Sequence, residues 1–320
     1  MNTSPRLVTD QSDRVLTVAF NNPPRHFFDE RMSIELDDLT RELRRDSTIR
    51  AVVFTGCDDT YLTHFDVPSL LRGAETVPVS VGYGPARAVI AGARVAVAHR
   101  RVDAVLRRTG LRNTLFLART YTSLERLSRL DQVVITEING LALGMGAIFA
   151  LACDIRIMAD DTEIGLVESG IGLLAAAGGT QRLTRIVGTA AAVELLLEGT
   201  RLTADDAARL GIVHHVCPRE RLRASTIELA GRLAARSPTV TREIKRAVYD
   251  SSARPTAASM RREAAGLVRT LTDRDTKRSM TEYRDYLAAN APLTDDVILR
   301  GWERVGVSRH TSSPTITSDR

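Results

Sequence analysis

Residues 138–154 read INGLALGMGAIFALACD, and this stretch decides the fold. A β-branched run, QVVITEI (132–138), feeds into Asn139-Gly140, and glycines at 144 and 146 open an apolar run that reads as a helix over 144–152. Beyond it, CDIRIM (153–158) reads as a buried strand. A strand that turns sharply into a helix gathers unpaired N–H groups and the positive end of the helix dipole at one point. Such a point suits an anion or a developing oxyanion. Close packing at a strand-to-helix turn accounts for the same glycines equally well, so this stretch alone leaves both readings open.

Upstream, RVLTVAF (14–20) and RAVVFTG (50–56) read as short strands, with an amphipathic helix over 29–44 between them. Downstream, 179–186 and 190–197 are helical in pattern, and Thr203-Ala204-Asp205-Asp206 opens a further helix with a capping sequence. From about 219 the pattern stays helical almost to 290. Strands alternating with helices, followed by helices alone, predict an α/β fold with an appended helical region. The expected organisation is a core over 1–218, a helical C-terminal region over 219–304 and a polar, disordered tail over 305–320. Residues 72–125, centred on ARVAVAHRRVDAVLRR, form a helical, Arg-rich insertion in that core.

The chain has 320 residues, 43% apolar and 26% charged, the balance of a globular protein with a sizeable core. It has no run of about 18 apolar residues and no apolar segment near residue 1, so no membrane span and a cytoplasmic location are expected. Cys57, Cys153 and Cys217 are scattered, with no CxxC pair and no His at metal spacing. That pattern predicts neither a disulfide framework nor a metal site. A net charge of +5 favours anionic partners, either nucleic acid or a phosphate-bearing cofactor such as coenzyme A. Much of the arginine falls between 85 and 130 without the aromatic platform that single-strand recognition uses, which makes nucleic acid the lesser expectation.

Several ordered stretches agree with the central one. EIGLVESGIGLLAAAGGTQRLTRIVG (163–188), LTADDAARLGIVHHVCP (202–218), ARSPTVTREIKRAV (235–248) and VVFTGCDDTYLTHFDVPSL (52–70) stand in consistent order around it. Together they resemble the enoyl-CoA hydratase/isomerase (crotonase) superfamily over about residues 10–72 and 130–290. The resemblance implies a spiral of ββα units with a helical C-terminal region. It also implies an acyl-CoA or acyl-carrier thioester as substrate, with coenzyme A as part of the substrate, no prosthetic group, and a homotrimer or hexamer.

The family's shared chemistry is polarisation of a thioester carbonyl by two backbone N–H groups, which favours an enolate. Carried over by position, the donors fall on Phe65 and Met145. His64 stands where the family usually has Gly, and Met145 itself replaces a Gly. Family hydratases use two glutamates. The first position is Ile148, which transfers no proton, and the second is Glu168, which is retained. A single acid/base suits a double-bond shift, so the resemblance favours an enoyl-CoA isomerase over a hydratase. A decarboxylase or thioester hydrolase using His64, or an inactive binding subunit, are the alternatives. Asp66, Asp154 and the His214-His215 pair read as structural or surface residues, and Glu163 as exposed. Arg25, Lys277 and Arg284 are the candidates for the ligand's phosphates.

Overall fold

The β-branched runs Val15–Phe20 (β2), Ala51–Gly56 (β3) and Val133–Ile138 (β4) lie side by side as parallel strands, and β3 and β4 are buried along their whole length. Burial on both faces explains why they read as continuous apolar runs instead of alternating ones. The structure is a computed structural model describing residues 4–305, apart from positions 78, 237, 253–263, 266, 269 and 273. The 305–320 tail therefore lies outside the described residues except for Val305.

Leu7–Ser12 (β1), Ile155–Ala159 (β6) and His215–Cys217 (β9) complete a six-stranded sheet in the order β1-β2-β3-β4-β6-β9. One face carries the main core, with Phe20, Phe54, Leu36 and Phe149 on it and the helix Glu30–Leu43 (α1) packed there. The other face, with Val53, Ile135 and Ile157, is covered by Leu222, Ala230 and Ala234 of Arg219–Ala234 (α10). The smaller sheet joins Ala142–Leu143 (β5), Glu163–Gly165 (β7) and Arg201–Thr203 (β8). Met145–Ala152 (α6) follows β5 directly. After it come Gly179–Val187 (α7), Thr189–Glu198 (α8) and Ala204–Arg209 (α9), the last capped by Thr203 as its sequence predicts.

The Arg-rich insertion is a helical layer against α1. Val67–Glu75 (α2) leads into Tyr83–Ala98 (α3), Arg100–Leu106 (α4) and Arg112–Ser128 (α5). Arg72, Arg87, Arg100, Arg101, Arg108 and Arg112 of this layer are exposed, while a few arginines here and at the end of α5 pair inside the fold. Arg119 is buried on Asp103 at 2.6 Å, Arg126 donates to Asp37 of α1 at 2.9 Å, and Arg94 pairs with Glu125 at 2.5 Å. A buried guanidinium with a hydrogen-bonded carboxylate fixes relative helix positions, because losing either partner strands a charge in the core. Pro238–Ser252 (α11), Arg274–Ala289 (α12) and Asp295–Arg304 (α13) complete the described helices.

Two features depart from the sequence-based expectation. β1 was not expected, since LVTDQS has no apolar face. It is an exposed edge strand held by its antiparallel hairpin with β2, turned at Asp13 with φ of 51°. Glu163, expected at the surface, is half-buried beside Arg201 in β7. Within the expected helical region, Ile298 and Trp302, four residues apart on α13, are buried.

Candidate active site

The turn into α6 is assembled by close backbone approach. Asn139 bridges β4 to the end of β3, accepting from the Gly56 N–H and donating to the Gly56 and Asp58 carbonyls. At Gly140 an ideal Cβ would lie 2.6 Å from the Asp59 carbonyl oxygen, so only glycine lets the 57–61 loop come this near. That loop runs into residues 61–65, which lie against the start of α6. There the Leu143 N–H donates to the Thr63 carbonyl at 2.8 Å. A Cβ on Gly146 would meet the Leu62 carbonyl oxygen at 1.9 Å.

Phe65 forms an isolated parallel bridge with Phe28. The flanking groups make its bonds: the Phe28 N–H donates to the His64 carbonyl at 2.8 Å, and the Asp66 N–H to the Phe28 carbonyl at 3.1 Å. In such a bridge the N–H of Phe65 itself points away from Phe28, and it has no backbone acceptor among the described residues. Met145 is the first residue of α6, so its N–H has no intrahelical acceptor. Gly144, the N-cap, has φ of 51° and offers no side-chain cap, and the first turn of α6 holds no acidic residue. The first-turn donors are thus left for another acceptor.

The small sheet positions Glu168. β5 and β7 pair with Leu143 opposite Gly165, and the Gly144 N–H donates to the Gly165 carbonyl at 2.8 Å. Three residues after Gly165 the chain enters a 3-10 turn, Glu168–Ile171, closed by Gly172 in the left-handed region at φ of 74°. This register sets the Glu168 carboxyl against Gly144. An ideal Cβ there would lie 3.2 Å from Glu168 Oε1 and 3.8 Å from His64 Cβ. Glu168 is 2% exposed. Ile148, one turn into α6, is fully buried and fills the space left by Gly179, where an added Cβ would be 2.8 Å from its Cγ1.

His64 is buried and fully engaged. Its Nδ1 lies 2.5 Å from the Phe65 carbonyl and its Nε2 lies 2.8 Å from the Tyr283 hydroxyl of α12. A carbonyl only accepts, so Nδ1 carries the proton, Nε2 accepts, and the Tyr283 hydroxyl donates. Phe27 stacks on the ring at 4.5 Å and Trp302 meets it edge-on at 5.5 Å. Burial pulls the imidazole pKa down to about 4, which keeps it neutral. With both nitrogens committed, His64 is built to hold its neighbours in place.

The enoyl-CoA hydratase/isomerase family profile matches residues 103–290, more than half of the chain. The chain belongs to that family. It is 35% identical over 159 residues to YngF of Bacillus subtilis, which carries an enoyl-CoA hydratase/isomerase name. That match covers 50% of this chain and 61% of YngF, so it spans less than two thirds of the relative. The chain is 27% identical over 244 residues to the short-chain-enoyl-CoA hydratase of Clostridium acetobutylicum, covering 76% of this chain and 80% of that one. A crystal structure of an enoyl-CoA hydratase/isomerase from Mycobacterium paratuberculosis superposes with a TM-score of 0.70 at 19% identity, covering 88% of this chain and 99% of the other. It shares the fold.

Within this family member, the remaining candidates are tied to local partners. Asp66 caps α2, accepting from Ser69 N–H and hydroxyl. Asp154 accepts from Val134 N–H, Lys245 and Tyr249, locking α11 to the start of β4. His214 is exposed, and its Nδ1 accepts from the Arg156 N–H. Arg25 pairs with Asp295 at the start of α13, Lys277 donates to the Val77 carbonyl at 2.8 Å, and Arg284 pairs with its exposed neighbour Asp285. Tyr283, Trp302 and Thr276 were missed in the sequence. For Trp302 a signal exists, an amphipathic pattern behind Thr294-Asp295. For Tyr283, whose partner His64 lies 219 residues away, there is none.

Proposed function

We propose that this protein is an enolate-stabilising acyl-CoA enzyme that shifts a double bond, using Glu168 as its one acid/base. The observation that carries the reading is the pairing of positions around α6. A buried carboxyl sits against Gly144, the residue before the Met145 N–H that opens α6, while the other acid position holds the packed, apolar Ile148. In a 3-enoyl thioester, the Phe65 and Met145 N–H groups would polarise the carbonyl. Glu168 would then take a proton from the α-carbon and return it to the γ-carbon, leaving the conjugated 2-enoyl thioester. Water addition needs a second group to activate water, and Ile148 supplies none.

The curated relatives more often carry hydratase names. Hydration is therefore the reading to test against, and the choice rests on Ile148. Assaying 3-enoyl-CoA and 2-enoyl-CoA side by side separates the two. Conversion of the first with little hydration of the second supports the proposal, and efficient hydration of the second overturns it.

A further inference from the structure

We propose that Tyr283 is a positioning residue for the first oxyanion donor, acting through His64 to hold the Phe65 peptide against α6. The hydrogen bonds run in one direction only. The Tyr283 hydroxyl donates to His64 Nε2 at 2.8 Å, and His64 Nδ1 donates to the Phe65 carbonyl at 2.5 Å. The same carbonyl accepts from the Val67 N–H at 2.9 Å, and the His64 carbonyl accepts from Phe28. Both peptide units flanking Phe65 are thereby pinned, and with them the direction of its N–H.

The anchor for this chain of bonds is α12. Thr276 lies seven residues before Tyr283, two turns along the same face. It donates to the Gly172 carbonyl at 2.7 Å, in the turn that carries Glu168. A Cβ on Gly172 would meet Thr276 Oγ1 at 2.6 Å, so the two segments are in tight contact. One helix face is therefore fastened to the turn bearing the acid/base and to the segment bearing the donor. The aromatic cover adds Trp302, packed on Tyr283 with ring centroids 4.7 Å apart. Trp302 belongs to α13, beyond the segment that the family profile matches, which ends at 290. A histidine in place of the family's usual glycine thus has a task here that glycine could not perform.

The kinetic arm of the test rests on the acyl-thioester reading, and the spectroscopic arm does not. Tyr283→Phe keeps the ring and deletes only the donor. It should lower kcat on 3-enoyl-CoA about ten-fold with KM nearly unchanged, because the bond matters through the donor's aim. In a His64→Gly background the same change should have no further effect. Selective 15N-phenylalanine labelling gives seven amide resonances in the wild type, one for each phenylalanine, and an eighth from the introduced residue in Tyr283→Phe or His64→Phe. The Phe65 resonance should move in Tyr283→Phe and again show no further movement in the double variant. Should Tyr283→Phe fail to fold, His64→Phe fills the ring's place without its nitrogens and should displace the same resonance. Independent, additive losses in the cycle, or an unmoved Phe65 resonance, overturn the relay. A wild-type protein that turns over no enoyl thioester would sink the functional reading alone, with the resonance still deciding the relay.

Discussion

Glu168→Gln keeps the size and burial of the side chain while removing its ability to take a proton. It is expected to lower isomerisation at least roughly a hundred-fold with an unchanged melting temperature, measured by steady-state assay and calorimetry. Ile148→Glu tests the neighbouring position from the other side. It puts a carboxylate where a fully buried isoleucine packs on Gly179. An unpaired buried charge should cost roughly 3 kcal/mol, seen as a lower denaturant midpoint. His64 predicts a pH dependence of stability. It stays neutral in the fold down to about pH 4, whereas the unfolded chain takes up a proton below about 6.5. The unfolded state therefore binds more protons in that window, and stability falls as pH drops from 6.5 to 4. Fully expressed, this amounts to roughly 3 kcal/mol. Denaturation at pH 7 and pH 4.5 should show a smaller loss in His64→Phe than in the wild type. His214 shifts the same way but stands exposed, so solvent weakens its share.

At the scale of elements, α6 and the 61–65 segment are one unit because their backbones touch. Gly146→Ala would force a methyl into the Leu62 carbonyl, which nothing short of moving the helix relieves. It should destabilise by roughly 3 kcal/mol and misplace the Met145 donor, as a chemical melt and the isomerase assay would show together. This unit was legible in the sequence, since glycines at 140, 144 and 146 are what such an approach demands. Glu168 was legible because its motif is local. The strands β5, β7 and β8, of two or three residues each, have no period to read, although they set the distance from Glu168 to Gly144. The cover over His64 was hidden for another reason. Its parts come from residues 27, 64, 283 and 302, and no pattern within one segment shows that they meet.

Across the whole molecule, the candidate site residues are buried. Glu168, His64 and Met145 are at most 2% exposed, and Tyr283 and Trp302 pack on His64. Elsewhere apolar side chains face outward at helical spacing: Val193 and Leu197 on α8, and Val240, Ile244 and Val248 on α11. Two such stripes suit contacts between copies of the chain. Light scattering should return three or six times the 35.0 kDa chain mass, and a 35.0 kDa particle at micromolar concentration would contradict it. The central claim is the single acid/base. Its most direct test is the product formed from 3-enoyl-CoA by wild type and Glu168→Gln, followed in H2-18O. The wild type should give 2-enoyl-CoA without 18O, and the variant almost none. An 18O-labelled 3-hydroxyacyl-CoA as the main product, or undiminished turnover by the variant, would contradict it.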